Sequence, residues 1–302
     1  MRFTSLRLVI VFFVLAGSLL GQTKAKDAVA ISEGYATIGA GVRIHYLRAG
    51  QSTSKRALIL IPGWRLPAFL WEEQLKTFAP VMQVIAIDPR SQGESTKTPG
   101  DNTPESRAKD LHEVLGQMGI SQPVLVGWSQ GAQDVAAYLQ EFGADSVSGV
   151  VFVDSPVSAG PSGVEANKEF SKAILANISL YARHPKEASE GMVHSIFKKP
   201  RPDAEYQKIV QSTLQTPTDT GIAMLVMDIF GMDRRPALEK LNKPALVIAS
   251  AESPLVAAQK AMAASIPGAK FLAIEGTGHA VFVDEPGKFD AALQNFLQTL
   301  PE

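Results

Sequence analysis

The sequence predicts an α/β fold: eight strands in a mostly parallel sheet, helices on both faces, and an inserted helical cap. Three observations carry that prediction. Short aliphatic runs ending at turn residues recur along the chain, and segments of helical periodicity separate several of them. One interval, residues 157–240, is too long for a simple crossover and mostly helical in character. The chain has 302 residues, 45% of them hydrophobic, enough to bury one large core.

At the N-terminus, "MRFTSLR" is basic, "LVIVFFVLAGSLL" is uncharged and "GQTKAKDA" supplies small residues, the layout of a secretory signal over residues 1–26. The uncharged run is shorter than the ~20 apolar residues of a membrane span. A periplasmic or secreted protein is therefore expected, with an uncleaved N-terminal anchor as the alternative. "GYATIGA" and "VRIHYLRAG" read as the first two strands. "ALILIPGW", "QVIAIDP", "PVLVG", "GVVFVDSP", "PALVIAS" and "KFLAIEG" follow as runs suited to strands buried on both faces. In "ESRAKDLHEVLGQMG", Leu111, Val114, Leu115 and Met118 recur at i, i+3, i+4 and i+7, one face of a helix. "AQDVAAYLQEF", "LVAAQKAMAASIPG" and "PGKFDAALQNFLQTL" also read as helices, the last with proline in its first turn, where a missing N–H costs little. The core is assigned to residues 27–156 and 241–302, the cap to 157–240.

Bulk chemistry narrows the function. A net charge of −1 with no basic stripe argues against a nucleic-acid partner. The absence of cysteine excludes disulfides and thiolate metal sites. No metal-ligand cluster or phosphate-binding loop is present, so neither a metal nor an organic cofactor is expected. In a mostly parallel sheet, ligands bind beyond the C-terminal strand ends, so the residues that follow each strand carry the functional signal.

"VLVGWSQGAQDVAAYL" places Ser129 at a strand-to-helix junction in a G-x-S-x-G pattern. Such a turn strains the serine backbone and brings the chain close to itself, which calls for Gly127 and Gly131. A serine there stands at a helix N-terminus, where developing negative charge is favoured. Its hydroxyl needs a base to act as a nucleophile. Of the five histidines, His45 lies mid-strand, His112 on a helix, and His184 and His194 in the cap. His279 follows "KFLAIEG" in a strand-end loop and is the candidate base. Two acids end strands on the same surface and could orient it, Asp154 after "VVFV" and Glu252 after "ALVIAS". Oxyanion donors are expected from the backbone N–H groups of Gln130, next after the serine, and Trp64, just past "PG". In "MLVMDIFGM", Met224, Leu225, Met227, Phe230 and Met232 could line an apolar substrate pocket.

Taken in order, "LILIPGW", "LWEEQL", "VIAIDPRSQGES", "VLVGWSQG" and "GTGHAVFVDEP" resemble the α/β-hydrolase superfamily over residues 57–286. The resemblance implies an α/β-hydrolase sheet with Ser129 as nucleophile, His279 as base, and Trp64 and Gln130 as oxyanion donors. Two positions depart from the pattern. Pro62-Gly63 stands where relatives usually have His-Gly, and "SAES" puts Ser253 in the slot after the seventh strand where relatives usually place aspartate. Glu252 is one residue early, whereas Asp154 matches relatives that carry the acid after the sixth strand. Asp154 is therefore taken ahead of Glu252. A serine nucleophile excludes the dehalogenase and epoxide-hydrolase branches, whose nucleophile is aspartate. The expected function is hydrolysis of small carboxylic esters through an acyl-enzyme, with a small-molecule substrate as partner. A lactonase or carbon–carbon bond hydrolase using the same triad, and a non-catalytic ligand-binding protein on this fold, are the alternatives.

Overall fold

Eight strands form one sheet in the computed structural model, which describes residues 29–51, 56–166 and 168–301. The secretory signal expected over residues 1–26 lies outside the described residues. The strands are β1 (Ser32–Ile38), β2 (Val42–Ala49), β3 (Leu58–Ile61), β4 (Val84–Ile87), β5 (Val124–Trp128), β6 (Gly149–Val153), β7 (Ala245–Ser250) and β8 (Lys270–Ile274). Across the sheet they run β1-β2-β4-β3-β5-β6-β7-β8. β1 pairs antiparallel with β2, and β2 with β4; every other neighbouring pair is parallel.

The central strands are buried on both faces, and alternation divides their side chains between two cores. Leu58, Leu60, Val124, Val126, Val151 and Val153 share one cluster. Leu75 and Phe78 of α1 (Glu72–Phe78) belong to the same cluster. Ile59, Ile61, Leu125, Val150 and Phe152 share the other with Leu111 and Leu115 of α2 (Pro104–Gln117) and Val135 of α3 (Gln130–Phe142). The predicted apolar stripe of α2 is buried at Leu111, Val114 and Leu115, and Met118 is half-buried just past the last helical residue. Thr103 caps α2 by accepting from Ser106 N at 3.2 Å, and Pro104 takes the first turn, where no N–H is needed. One expectation needs correction. "KFLAIEG" was assigned to a strand covered on both faces, but β8 closes the sheet as an edge strand with Leu272 exposed and only Ile274 buried. Its composition matches the interior strands; its lack of a further neighbour does not show in its residues.

Between β6 and β7 the chain is helical: α4 (Pro161–Ala166), α5 (Lys168–Arg183), α6 (Pro185–Ser195), α7 (Asp203–Leu214), α8 (Thr218–Val226), a π-type turn over Met227–Gly231, and α9 (Arg235–Glu239). α10 (Val256–Ser265) follows β7; α11 (Val281–Asp284) and α12 (Pro286–Leu297) end the fold, and Phe289, Leu293 and Phe296 of α12 join the first core cluster.

Buried ion pairs tie this helical segment to the sheet layers. On α2, Arg107 Nε donates to Asp134 Oδ1 of α3 at 2.8 Å, and its Nη2 donates to Asp228 Oδ1 of the π-type turn at 2.5 Å. Arg234 Nε donates to Glu105 Oε1 at 2.7 Å. Burial, reinforced by the neighbouring Asp134, pushes the Asp228 carboxyl up from 3.8 to about 7 against the pull of Arg107. The folded chain then holds a proton that the unfolded chain has released. The stabilisation linked to this proton is complete below pH 3.8 and is lost as pH rises through about 7. Asp228→Asn is expected to flatten that part of the stability–pH curve in urea denaturation. Arg107→Met leaves the buried Asp134 and Asp228 side chains without their shared partner and is expected to cost about 3–5 kcal/mol.

Candidate active site

β5 ends at Trp128 and α3 begins at Gln130, so Ser129 alone makes the turn between them. Its φ of 55° and ψ of −114° are costly for a residue with a side chain. Close packing enforces the turn. A Cβ at Gly127 would stand 2.2 Å from the Gly131 carbonyl oxygen, and one at Gly131 would stand 2.6 Å from that of Ile61. Ser129 N donates to Val153 O at 3.0 Å, which fixes the turn against the end of β6.

The carboxylate that meets His279 is Asp154. His279 Nδ1 lies 2.7 Å from Asp154 Oδ2. Asp154 Oδ1 accepts from Ser250 N at 3.0 Å and from Gln259 Nε2 at 2.9 Å. Asp154 also has positive φ, 44°, and its N–H donates to Ile248 O at 2.8 Å. With Asp154 accepting the Nδ1–H, the lone pair of the neutral imidazole tautomer falls on Nε2, the nitrogen a base would use. Glu252, the other acid considered, is exposed and paired with Lys198, whose ammonium holds the carboxyl below the usual range.

Ser129, His279 and Asp154 line one cavity of about 720 Å³ together with Trp64. No hydrogen bond joins Ser129 Oγ to His279 among the described residues; in ligand-free enzymes nucleophile–base contacts are often loose until substrate binds. The loop after β3 approaches the serine closely: a Cβ on Gly63 would lie 3.2 Å from Ser129 Cβ. Trp64 is the next residue in that loop, and its indole Nε1 donates to Gly221 O of α8 at 2.8 Å. Gln130 N–H stands at the first position of α3, where no intrahelical acceptor exists.

Met224, Met227 and Phe230, expected to line the pocket, are not among its walls. Met224 is fully buried in packing, and Met227 and Phe230 lie in the π-type turn beyond α8. Leu225 of the same segment does face the cavity, with Ile174 and Leu180 of α5 and Met192 of α6. The turn of the helix, which hydropathy does not reveal, separates Leu225 from its neighbours. The other four histidines are elsewhere: His45 is buried 2.8 Å from Asp88, His112 stacks on Phe142 at 3.9 Å, His194 packs on Tyr206 at 3.9 Å, and His184 precedes α6.

Three residues of the site escaped the sequence reading. Gln259 is a polar side chain on the buried face of α10, a signal that was available. Arg65 stood beside Trp64 in "PGWRL" with no pattern to mark it. Asp284 anchors the histidine loop: its carboxylate accepts from Gly278 N at 2.7 Å, Lys198 N at 2.8 Å and Lys199 N at 3.1 Å. Asp284→Ala leaves these N–H groups without their acceptor. It is expected to cost about 1–3 kcal/mol or more in urea denaturation and to speed amide exchange across residues 277–280.

Similarity to known proteins agrees with this geometry. The sequence model of the Alpha/beta hydrolase family matches residues 58–292. The non-heme chloroperoxidase CPO-A1 of Kitasatospora aureofaciens is 27% identical over 279 residues, covering 85% of this chain and 96% of that protein. The N-formylmaleamate deformylase of Pseudomonas putida is 25% identical over 262 residues, covering 85% and 93%. Among solved structures, a bromoperoxidase from Bacillus anthracis superposes with a TM-score of 0.76 at 23% identity, covering 88% of this chain and 100% of that one. An esterase from Exiguobacterium antarcticum gives 0.75 at 20% identity, covering 88% and 99%. These two structures attest the fold, and the relatives in sequence are enzymes. The chain belongs to the alpha/beta hydrolase family.

Proposed function

We propose that the protein is a serine hydrolase that cleaves small carboxylic esters through an acyl-enzyme. The observation that carries the reading is the Asp154–His279 hydrogen bond in a cavity wall shared with a strained Ser129. In this reading Ser129 Oγ attacks the ester carbonyl carbon as His279 Nε2 takes the hydroxyl proton. Negative charge moves to the carbonyl oxygen, where the N–H groups of Trp64 and Gln130 receive it. The intermediate collapses, the carbon–oxygen bond to the alcohol breaks, and His279 returns its proton to the leaving alkoxide. Water then attacks the acyl-enzyme with His279 again as base, which releases the acid and restores Ser129. Asp154 holds the imidazole in the productive tautomer and stabilises its charged form. Ile174, Leu180 and Leu225 supply an apolar wall for the acyl or alkoxy group. Residues 157–240 serve as the cap that closes this cavity. The basic, then uncharged, N-terminal stretch supports export to the periplasm or medium.

The test is hydrolysis of p-nitrophenyl butyrate by purified variants. Ser129→Ala is expected to abolish it; equal rates in variant and wild type would reject the reading. Asp154→Asn is expected to lower kcat by about 10⁴-fold through the wrong imidazole tautomer, whereas Glu252→Gln stays close to wild type. The reverse ranking would move the orienting role to Glu252.

A further inference from the structure

Three arginines are buried among the described residues: Arg65, Arg107 and Arg234. Arg107 is paired with Asp134 and Asp228, and Arg234 with Glu105. Arg65 is the exception. It is 1% exposed, yet no carboxylate lies within ion-pair reach of it among the described residues. Its partners among the described residues carry no formal charge, and they include the Tyr181 side chain, whose hydrogen bond favours the charged guanidinium. Nη1 donates to Ser189 Oγ at 2.9 Å, Nη2 contacts Met192 Sδ at 3.6 Å, and Nε has no partner. The guanidinium carbon lies 4.0 Å from the ring centroids of both Trp64 and Tyr181.

The aromatic faces and the Tyr181 hydrogen bond offset part of the cost of burying this charge, but Nε stays without a partner among the described residues and no carboxylate neutralises the group. An uncompensated cation in a low-dielectric setting is expensive unless something pairs with it. Desolvation lowers its pKa only to about 10, so the group stays cationic at neutral pH. The backbone adds to the cost: Arg65 has φ 58°, where glycine would sit more easily. Arg65 also lines the cavity that holds Ser129 and His279. Glu187 and Glu252 on the same wall are exposed, and Glu252 is engaged by Lys198.

We propose that Arg65 forms an anion subsite of this cavity and that the preferred substrates carry a free carboxylate besides the bond to be cleaved, as half-esters of dicarboxylic acids do. A carboxylate there pairs with a guanidinium that the protein leaves without a counter-charge, in the bidentate geometry that arginine favours. The proposal rests on the cavity being the substrate site of the proposed hydrolase.

Monoethyl adipate and diethyl adipate, compared at neutral pH, differ in charge at one end. Wild type is expected to favour the monoester in kcat/KM by about tenfold or more. Arg65→Met, which keeps bulk without charge, is expected to bring that ratio to near one, and Arg65→Lys to restore part of it. A wild type without the preference, or an Arg65→Met ratio equal to that of wild type, overturns the proposal. A second measurement does not depend on turnover. Thermal stabilisation of Ser129→Ala by monoethyl adipate should exceed that by diethyl adipate, and the excess should vanish in Ser129→Ala/Arg65→Met. Failure of wild type to hydrolyse both esters would count against the hydrolase reading alone, since the binding comparison still decides the role of Arg65. Equal stabilisation of Ser129→Ala by the two esters would overturn the subsite.

Discussion

Two backbone hydrogen bonds across the ends of neighbouring parallel strands hold the rest of the site in register. Ser129 N reaches Val153 O at 3.0 Å, and Asp154 N reaches Ile248 O at 2.8 Å. Each extends the ladder just past the last strand residue, at a residue with positive φ beyond the C-terminal end of an interior strand. Parallel pairing is what makes this possible. All strands from β3 to β8 finish at one end of the sheet, so the residues that follow them gather on one surface. Side chains far apart in sequence then need only short loops to meet.

The strain at those turns persists because the surroundings leave no alternative. Gly127, Gly131 and Ile61 pack backbone against backbone, with no room for a relaxed path. On the other side of the cavity, the histidine loop is held by Asp284 and by Ala280 N donating to Ile196 O at 2.8 Å. A tightly packed serine turn and a loop anchored to the end of α6 thus line a common cavity, an arrangement suited to preorganised chemistry.

Charge burial distinguishes two of the contacts between the helical segment after β6 and the sheet layers. The Arg107 cluster is closed: its cation is surrounded by carboxylates and lies outside the residues that line the cavity. Arg65 is open: it bridges the loop after β3 to α6 through Ser189 and lines the cavity with no carboxylate in ion-pair reach among the described residues. Similar burial with opposite pairing marks one as a structural tie and the other as a position where a ligand can complete the electrostatics.

Much of the fold was legible because strand burial in a parallel sheet leaves a local mark. The runs at β3, β4, β5, β6 and β7 are apolar, but for Ser250 at the end of β7, since both faces are covered. β8 carries similar residues for a different environment, so composition could not identify it as the edge. The candidate nucleophile was legible for a local reason too: the glycines flanking Ser129 answer a steric demand within a few residues. The pocket wall was not. Leu225 and Met224 have similar hydropathy, and only the direction of α8 relative to the core separates a cavity wall from a packed interior.

By itself the sequence determined the alternation of buried strands and helices, the strained turn at Ser129, and two acids able to serve His279. Short-range sterics and side-chain hydrophobicity suffice for these, because each acts between neighbours in the chain. Tertiary structure alone decided that Asp154 and not Glu252 meets the imidazole, and that a buried guanidinium at Arg65 goes without a carboxylate. Both are matters of distance across the fold: Asp154 and His279 meet from 125 residues apart, and Arg65 meets Ser189 from 124, set by how β6, β7 and the helices after β6 pack.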